Sequence, residues 1–484
     1  MLTTTRAVVV LALVSLASRS AAATFTVLHT NDSGAGSLRQ ALQDAKNLEG
    51  ADTIAFAIPG NGPHTIALLT PLGIDSAVFI DGYSQPGSAV NTLESGSNAV
   101  LRIEIDGSSM MPESSGLSVI SSGVTLRGLA VRDAPENGIR VVSVDDVHIE
   151  GCFVGIAADG TTAAGNALSG IHTGSATDLV IGGPAPGQRN VISSNGLNGV
   201  TDVGPPTAIL NNLVGTDRTG QLDRGNAQDG IFVIGGGSVV GSDDAESANV
   251  VRFNGRAGIG VAAPATAVAV LANHVGPNDG LGIDLEPGPG SPVTANDADD
   301  ADTGANDRQN FPVLTAAVSA VGMLSVEGTL DVPAAASDAD YTIRFFRSDD
   351  CDASGNGEGE EFLGAVEVSL SGDAEAFAVE VPGGVADGTA VTATATEVAT
   401  GNTSEFSACL VTAGDAPLCG DSDDNGSVTA GDALTALRTA VGSTSCELCR
   451  CDVNSSGGVA SGDALLILKH AVGQVVAFNC PPCS

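Results

Sequence analysis

The chain has 484 residues, enough for several domains, with 57 acidic against 19 basic side chains and a formal net charge of -38. This charge excludes attraction to nucleic acid phosphates or to anionic lipid, so no nucleic acid partner is expected. Sixty-three glycines and 43% hydrophobic residues, with only 16% charged residues, exclude a disordered chain and favour many short strands joined by tight turns.

The N-terminus has the pattern of an export signal. Arg6 precedes the apolar run AVVVLALVSLA, and Ala21-Ala22-Ala23 supplies a small-residue cleavage site. We predict a signal peptide over residues 1–23 and a mature chain that is secreted, either extracellular or at the cell surface. No later segment is long and apolar enough to span a bilayer, so no transmembrane segment is expected.

A short amphipathic helix is predicted next, over residues 37–45, with Ser37 as its N-cap candidate. It directly precedes a predicted strand over residues 53–58. Because the open end of a repetitive β-structure must be covered, we interpret this helix as an N-terminal cap.

The middle of the chain repeats. Gly-Ile or Gly-Val pairs recur every 24 to 32 residues, at Gly138, Gly170, Gly199, Gly230, Gly258 and Gly282. A fixed period in this range indicates a solenoid. Residues 153–171 also match residues 213–231, and two coils per long repeat is the simplest account. A leucine-rich repeat is the alternative, but its spaced leucines and helical arc are absent.

Within each coil, short apolar bursts are bounded by Gly, Asn and Asp, which is typical of strands of about three to five residues with tight corners. The period is too short for a strand plus a crossover helix. We therefore predict a right-handed parallel β-helix over residues 24–310, with valine and isoleucine stacked inward. Asn190 and Asn249 are expected at the turns, in a ladder.

Several motifs of this region are familiar: GSLRQAL followed by DTIAF, then IDGYSQPG and NVISSNG. They resemble the bacterial exported right-handed parallel β-helix repeat proteins. The resemblance implies a mainly β, pectin-lyase-like solenoid. Its motifs are structural and imply little about function.

After the repeats, the acidic stretch 296–307 is either a solvated linker or a third calcium site. From residue 311 the pattern changes to clean apolar alternation in segments such as YTIRFFRS and AVTATATEV. This pattern predicts an antiparallel, Ig-like β-sandwich of about seven strands over residues 311–412.

The nine cysteines fit an exported protein. Cys351 and Cys409 bracket the sandwich, and a disulfide is predicted between them. Six more lie in the last 66 residues, where paired CxxC strings are compatible with disulfides or with a zinc site; we favour disulfides. Cys152 is alone.

Two copies of a calcium-loop pattern occupy the last domain, predicted over residues 413–484. A 12-residue calcium loop takes oxygen ligands from positions 1, 3, 5, 7 and 12, with glycine at position 6 for the sharp turn. The ligands predicted in the first loop are Asp421, Asp423, Asn425, Ser427 and Asp432. Those predicted in the second loop, 31 residues on, are Asp452, Asn454, Ser456, Gly458 and Asp463. An acidic loop that caps a helix without metal is the alternative for each.

Each loop ends in aspartate, lacks a preceding helix and runs into a similar helix, DALTALRTAVG or DALLILKHAVG. This arrangement resembles the dockerin family, which implies Ca²⁺ as cofactor and a cohesin-like partner or a cell-surface component. In dockerins, positions 10 and 11 of each loop determine recognition; here they are Ala430-Gly431 and Ser461-Gly462. Because Ser456 replaces an acidic or amide ligand, the second site is expected to bind calcium less tightly.

Catalytic residues are unknown from the sequence. Parallel β-helices and dockerins both occur in polysaccharide-degrading enzymes, so a lyase or glycoside hydrolase is the alternative function. The solenoid's acidic and basic residues, such as Asp217 and Arg132, match no motif of those enzymes, and a turn role is predicted for Asp217. The sequence favours a secreted structural or adhesive β-helix, or one associated with polysaccharide, that its dockerin-like domain anchors to a partner. A third interpretation is a matrix protein in which calcium only rigidifies the tail.

Overall fold

The computed structural model describes residues 22–204, 206–320, 322–333, 339–370, 375–414, 418–423 and 425–481. The predicted signal peptide therefore lies outside the described residues except for its last two positions, and so does Cys483. The chain divides into two compact units. The first comprises the residues up to 295 with 302–309 and 396–405, and the second comprises 296–301, 310–395 and 406–484.

The first unit begins with the predicted helix. Helix α1, Leu38–Lys46, follows Ser37, whose side chain accepts a hydrogen bond from the Gln40 backbone. Its buried face consists of Leu38, Ala41, Leu42 and Ala45. The helix and its N-cap residue were thus correctly predicted, because an N-cap and a 3.6-residue apolar period are both local signals.

The strands of the first unit, within the described residues and in chain order, are β1 Thr24–Val27, β2 Asp52–Phe56, β3 His64–Ala67, β4 Leu72–Ile74, β5 Val78–Asp81, β6 Ile103–Asp106, β7 Leu117–Val119, β8 Val124–Arg127, β9 Ala130–Arg132, β10 Ile139–Val141, β11 Asp145–Glu150, β12 Phe153–Val154, β13 Ile171–Thr173, β14 Thr177–Gly182, β15 Val191–Ile192, β16 Val200–Asp202, β17 Thr207–Leu210, β18 Leu213–Val214, β19 Ile231–Val233, β20 Val239–Val240, β21 Val250–Val251, β22 Ile259–Val261, β23 Ala269–Val270, β24 His274–Val275 and β25 Ile283–Leu285. Short 3-10 turns occupy Gly82–Ser84, Pro186–Gln188, Ala245–Ser247 and Ala305–Arg308 in this unit and Ala298–Asp300 in the second.

These strands form three parallel sheets, and from β3 onward successive strands enter the three sheets in rotation. Each coil therefore contributes one strand to each sheet, which is the architecture of a parallel β-helix. β12 and β18, which begin the two copies of the long repeat, lie two coils apart, with β15 between them. The prediction of two coils per long repeat is confirmed.

The solenoid core is built from stacked aliphatic residues in register. Ile139, Ile171, Val200, Ile231 and Ile259 pair in succession from coil to coil, and all are fully buried. Burying each such side chain contributes about 1.5–3 kcal/mol. This column explains why Gly-Ile and Gly-Val pairs recur in the sequence, because the second residue of each pair places its side chain in the column.

Buried asparagines form ladders at the turns. The amide of Asn190 donates to Asn212, that of Asn212 to Asn249 and that of Asn249 to Asn273, each at 2.9 Å. A second ladder of the same geometry joins Asn166, Asn195, Asn226, Asn254 and Asn278. Each side chain also satisfies backbone groups at its corner, so the predicted ladder through Asn190 and Asn249 is confirmed.

The second unit contains a sandwich of two four-stranded sheets. Its strands are β26 Val313–Ala320, β27 Met323–Leu330, β28 Ala339–Ser348, β29 Glu361–Leu370, β30 Glu375–Pro382, β31 Ala390–Glu397, β32 Leu410–Val411 and β33 Ala413–Gly414. The sheet orders are β30-β27-β26-β33 and β29-β28-β31-β32. β27 pairs antiparallel with β26 and β30, β28 with β29 and β31 with β32, whereas β26 and β33 pair in parallel.

A disulfide joins Cys351 to Cys409, at a sequence separation of 58. By the loop-entropy model, such a bridge contributes roughly 4 kcal/mol. Ile343, Phe345 and Val391 lie in the buried core of the sandwich.

The last part of the chain is helical. Helices α2, Ala430–Ala440, and α4, Ser461–Ala471, pack against each other, and the short α3, Leu448–Cys451, lies between them in sequence. Ala433, Ala436, Val453, Ala464 and Ile467 form their shared core. None of the helices in the described part of the chain has the length and apolarity needed to cross a membrane.

Cystines hold this helical part together. Disulfides join Cys419 to Cys480 and Cys446 to Cys451, and Cys449 is also disulfide-bonded. The preference for disulfides over a zinc site in this region is therefore supported. Cys152 is a free, buried thiol in the solenoid.

Candidate metal centre

The first predicted ligand, Asp421, is buried, and its own loop fixes its carboxylate. The Gly426 backbone N–H donates to Oδ2 at 2.7 Å, and the Asn425 N–H donates to Oδ1 at 3.3 Å. Gly426 has a φ of +80°, in the left-handed region where glycine is unstrained. The glycine required at position 6 thus turns the backbone so that its N–H points back at the first ligand.

Three carboxylates converge in this first loop. Asp421, Asp423 and Asp432 each place a carboxylate oxygen within 4.8 Å of those of the other two. Desolvation, together with the nearby charges of Asp432 and Asp421, raises the pKa of Asp423 above its ordinary value. A divalent cation held by the three carboxylates would offset the repulsion between them.

The twelfth position, Asp432, connects the loop to helix α2. Its Oδ1 accepts hydrogen bonds from the backbone N–H and the hydroxyl of Ser422, and its Oδ2 accepts from the N–H and the hydroxyl of Thr429. Desolvation opposes ionisation of this carboxyl, but the hydrogen bonds from Thr429 and Ser422 prevail and lower the pKa of Asp432. The group is therefore held as an anion at the start of a helix, where the helix dipole also favours negative charge.

The second loop repeats the framework of the first. The Gly457 N–H donates to Asp452 Oδ2 at 2.7 Å, and the Ser456 N–H donates to Oδ1 at 2.9 Å. Desolvation acts against ionisation, yet these hydrogen bonds lower the pKa of Asp452 below its ordinary value. The two loops thus hold their first ligand by the same pair of backbone donors.

One oxygen of the second loop lacks a donor. Asp463 is fully buried; its Oδ2 accepts from the Ala460 N–H at 2.9 Å, while Oδ1 has no hydrogen-bond partner. In the first loop, the equivalent oxygen, Asp432 Oδ1, accepts hydrogen bonds from the N–H and the hydroxyl of Ser422 at position 2. Position 2 of the second loop is Val453, which has no hydroxyl. A buried carboxylate oxygen without a partner is costly, and a cation would satisfy it.

The remaining predicted ligands lie on the outer side of the loops. Asn425, Ser427, Asn454 and Ser456 are exposed, and Gly458 is half-buried. Asn425 Oδ1 accepts from the Ser427 N–H, and the Ser456 hydroxyl donates to the Gly458 carbonyl at 3.1 Å. These oxygen donors suit Ca²⁺, which takes six to eight oxygens from carboxylates, amides, carbonyls and water.

Some features of the site were missed in the sequence. The sequence predicted that neither loop follows a helix. This is correct for the first loop. It is wrong for the second loop, because helix α3 ends immediately before Asp452. The supporting roles of Ser422 and Thr429 were also missed. Thr429, three residues before Asp432, carries a recognisable N-cap signal.

The solenoid residues raised as catalytic candidates have structural partners. Asp217 Oδ1 accepts from the Thr219 hydroxyl and the Leu222 N–H, as its predicted turn role requires. Arg132 forms ion pairs with Asp106 at 3.0 Å and with Glu104 at 3.4 Å. These contacts give both residues a role in the fold.

No protein-family model and no curated protein matches the chain. Some solved structures are similar at a low level, among them the following two. One is Geobacillus virus E2 ORF18, at 10% identity over 80% of this chain and 76% of that chain, with a TM-score of 0.27. The other is the enzymatically active domain of bacteriophage CBA120 tailspike protein 2, at 11% identity over 80% of this chain and 66% of that chain, with a TM-score of 0.25. Both similarities are too low to assign a family or a function.

Proposed function

We propose that the chain is a secreted or surface-attached β-helix protein, structural or adhesive or associated with polysaccharide, that a calcium-loaded, dockerin-like domain anchors to a partner protein. The observation that carries the proposal is the convergence of Asp421, Asp423 and Asp432 within 4.8 Å. Three carboxylates so close together, on a loop with glycine at position 6, match the donor set of a calcium loop.

Calcium would supply positive charge to balance the carboxylates of the two loops. It would be held by Asp421, Asp423, Asn425, Ser427 and Asp432 in the first loop, and by Asp452, Asn454, Ser456, Gly458 and Asp463 in the second. We expect tighter binding in the first loop, because it brings three carboxylates to the ion whereas the second contributes two. Replacing Asp421 and Asp432 by alanine should abolish the tighter site.

A partner surface is supported by the outer faces of α2 and α4. Leu434 and Leu437 on α2 match Leu465 and Leu468 on α4 at the 31-residue offset of the duplicated loops, and all four are 41–52% exposed. They line a shallow cavity of about 330 Å³ together with Ala430, Ala433, Ser461 and Ala464. Neighbouring exposed leucines of this kind are uncommon on the surface of a globular domain and support a protein-binding site here.

The occupant we propose for this surface is a cohesin-like protein that presents an apolar patch to both helices. The cavity includes position 10 of each loop, Ala430 and Ser461, where dockerins contact their partners. Because each helix begins within its loop, calcium would fix the helices in the arrangement that the partner meets.

The test is binding of the full chain to a panel of cohesins, measured by biolayer interferometry in calcium and again in a chelator. The proposal predicts binding that needs calcium and that falls at least about tenfold in Leu434→Ser/Leu465→Ser. A matched control is Leu69→Ser, an exposed leucine on the solenoid. Calcium uptake with no cohesin binding would contradict anchoring and favour a matrix protein with a calcium-rigidified tail. Cleavage of pectin or another uronan would instead support the alternative of a polysaccharide-degrading enzyme.

A further inference from the structure

We infer that the segment Phe478–Cys480 links the two calcium loops, and that its disulfide to Cys419 sets their calcium affinity. The inference rests on the proposed calcium function and adds to it an element outside both loops. No ligand is contributed by this segment; its role is to position the residues that contribute them.

The segment is attached to the start of the first loop in two ways. Cys480 is disulfide-bonded to Cys419, two residues before the first ligand, Asp421. The Phe478 ring lies directly on Gly420, where a Cβ would come within 2.6 Å of a ring carbon. The same ring packs on His470 of α4, with ring centroids 4.9 Å apart.

The segment is attached to the second loop by hydrogen bonds. The Asn479 N–H donates to the Val453 carbonyl at 2.8 Å, and the Ser455 hydroxyl donates to the Asn479 carbonyl. Val453 and Ser455 are positions 2 and 4 of the loop, on either side of the predicted ligand Asn454. The segment therefore holds the second loop at the backbone around position 3.

The starts of the two loops also contact each other directly. The Gly420 N–H, next to Asp421, donates to the Arg450 carbonyl at 2.8 Å, two residues before Asp452. The Cys480 sulfur lies 3.7 Å from the same carbonyl. The Cys419–Cys480 disulfide and both loop entrances thus meet at Arg450.

This arrangement has a thermodynamic consequence. A flexible loop must be ordered when it captures an ion, and that conformational cost reduces affinity. The disulfide holds the start of the first loop, and the segment Phe478–Cys480 holds the second loop. Much of the conformational ordering of both loops is therefore complete before calcium binds. The first ion to bind completes the ordering that remains, and because the segment joins the two loops, the second ion meets a more ordered loop. Calcium should therefore bind with positive cooperativity.

The test is isothermal titration of the full chain with calcium chloride, comparing the unmodified chain with Cys419→Ser/Cys480→Ser. The matched control is Cys351→Ser/Cys409→Ser, which opens a disulfide of nearly the same separation, 58 against 61 residues, in the sandwich. We expect the calcium Kd to rise about tenfold or more and cooperativity to be lost only when Cys419 and Cys480 are replaced. Unchanged affinity and cooperativity in that variant would overturn the inference while leaving the proposed calcium function intact.

A second variant keeps the disulfide. Phe478→Ala removes the packing on Gly420 and His470, and we expect it to weaken calcium binding by several-fold. If Cys419→Ser/Cys480→Ser loses the helical circular dichroism of its tail, Phe478→Ala decides the question. An unchanged calcium Kd in Phe478→Ala then overturns the inference. Absence of calcium uptake by the unmodified chain would overturn the proposed calcium function and this inference together.

Discussion

Replacing the buried carboxyl of Asp229 by its amide should stabilise the solenoid at neutral and alkaline pH. Asp229 is 2% exposed, and its Oδ1 accepts the Ala257 N–H at 3.1 Å. Its own N–H donates to the amide oxygen of Asn198, which occupies the equivalent corner of the preceding coil. Asparagine at position 229 would repeat that arrangement.

The magnitude follows from the pKa. Burial raises the pKa of Asp229 from 3.8 to about 6, against the opposing effects of the Ala257 hydrogen bond and the Arg256 charge. A rise of this size corresponds to about 3 kcal/mol. Since the folded chain holds the proton more tightly than the unfolded chain, this contribution to stability is complete below pH 3.8 and is lost as the pH rises through about 6.

The assay is calorimetric unfolding of the full chain and of Asp229→Asn across this pH range, at constant calcium. The variant should be more stable than the unmodified chain by up to about 3 kcal/mol at about pH 8, with the difference vanishing towards about pH 4. Asp178→Asn, which removes an exposed carboxylate from β14, is the control and should show little difference. A difference that does not change with pH, or an Asp229→Asn chain that is less stable at pH 8, would refute the reasoning.

Three further substitutions test the fold. Asn212→Ala interrupts an asparagine ladder: it removes the acceptor of one Asn190 amide N–H and the donor to the Ile181 carbonyl, so it should destabilise the solenoid by about 3 kcal/mol or more in urea unfolding. Ile231→Ala opens a cavity in the inner column and should cost about 2–5 kcal/mol in the same measurement, whereas an unchanged midpoint would contradict the stacked core. Arg189→Ala removes donors to the carbonyls of residues 93, 94 and 96, so limited proteolysis should cleave near residue 94 faster; an unchanged rate would show that Arg189 does not hold this loop.

The solenoid was largely predictable because its information is local and repeated. Each coil brings the same small set of residues to the same place, so the Gly-Ile pairs identify the inner column and Asn190 identifies a ladder position. The cap helix was predictable for a similar reason, since Ser37 and the apolar period lie within one short segment. The bounds differ slightly: the predicted strand over residues 53–58 is Asp52–Phe56.

Contacts between distant residues carried no signal in the sequence. Arg189 is buried against the carbonyls of residues 93, 94 and 96, and no local pattern relates the two segments. The burial of Asp229 was also not predictable, because a charged residue at a turn is ordinarily exposed.

In the candidate metal centre, the spacing of the ligands could be read directly, but the surrounding support could not. The pairing of Cys419 with Cys480 depends on how the chain end returns, and several pairings of the tail cysteines fit the sequence equally well. The same is true of the contacts of Phe478, which fix the loops from outside their own sequence.

The most direct measurement is the calcium stoichiometry of the full chain by isothermal titration calorimetry. The account predicts about two ions per chain, about one in Asp421→Ala/Asp432→Ala, about one in Asp452→Ala/Asp463→Ala, and none at these loops when all four are replaced. It also predicts that the site remaining in Asp421→Ala/Asp432→Ala is the weaker of the two. An unmodified chain that takes up no calcium, or a fourfold variant that takes up as much as the unmodified chain, would contradict it.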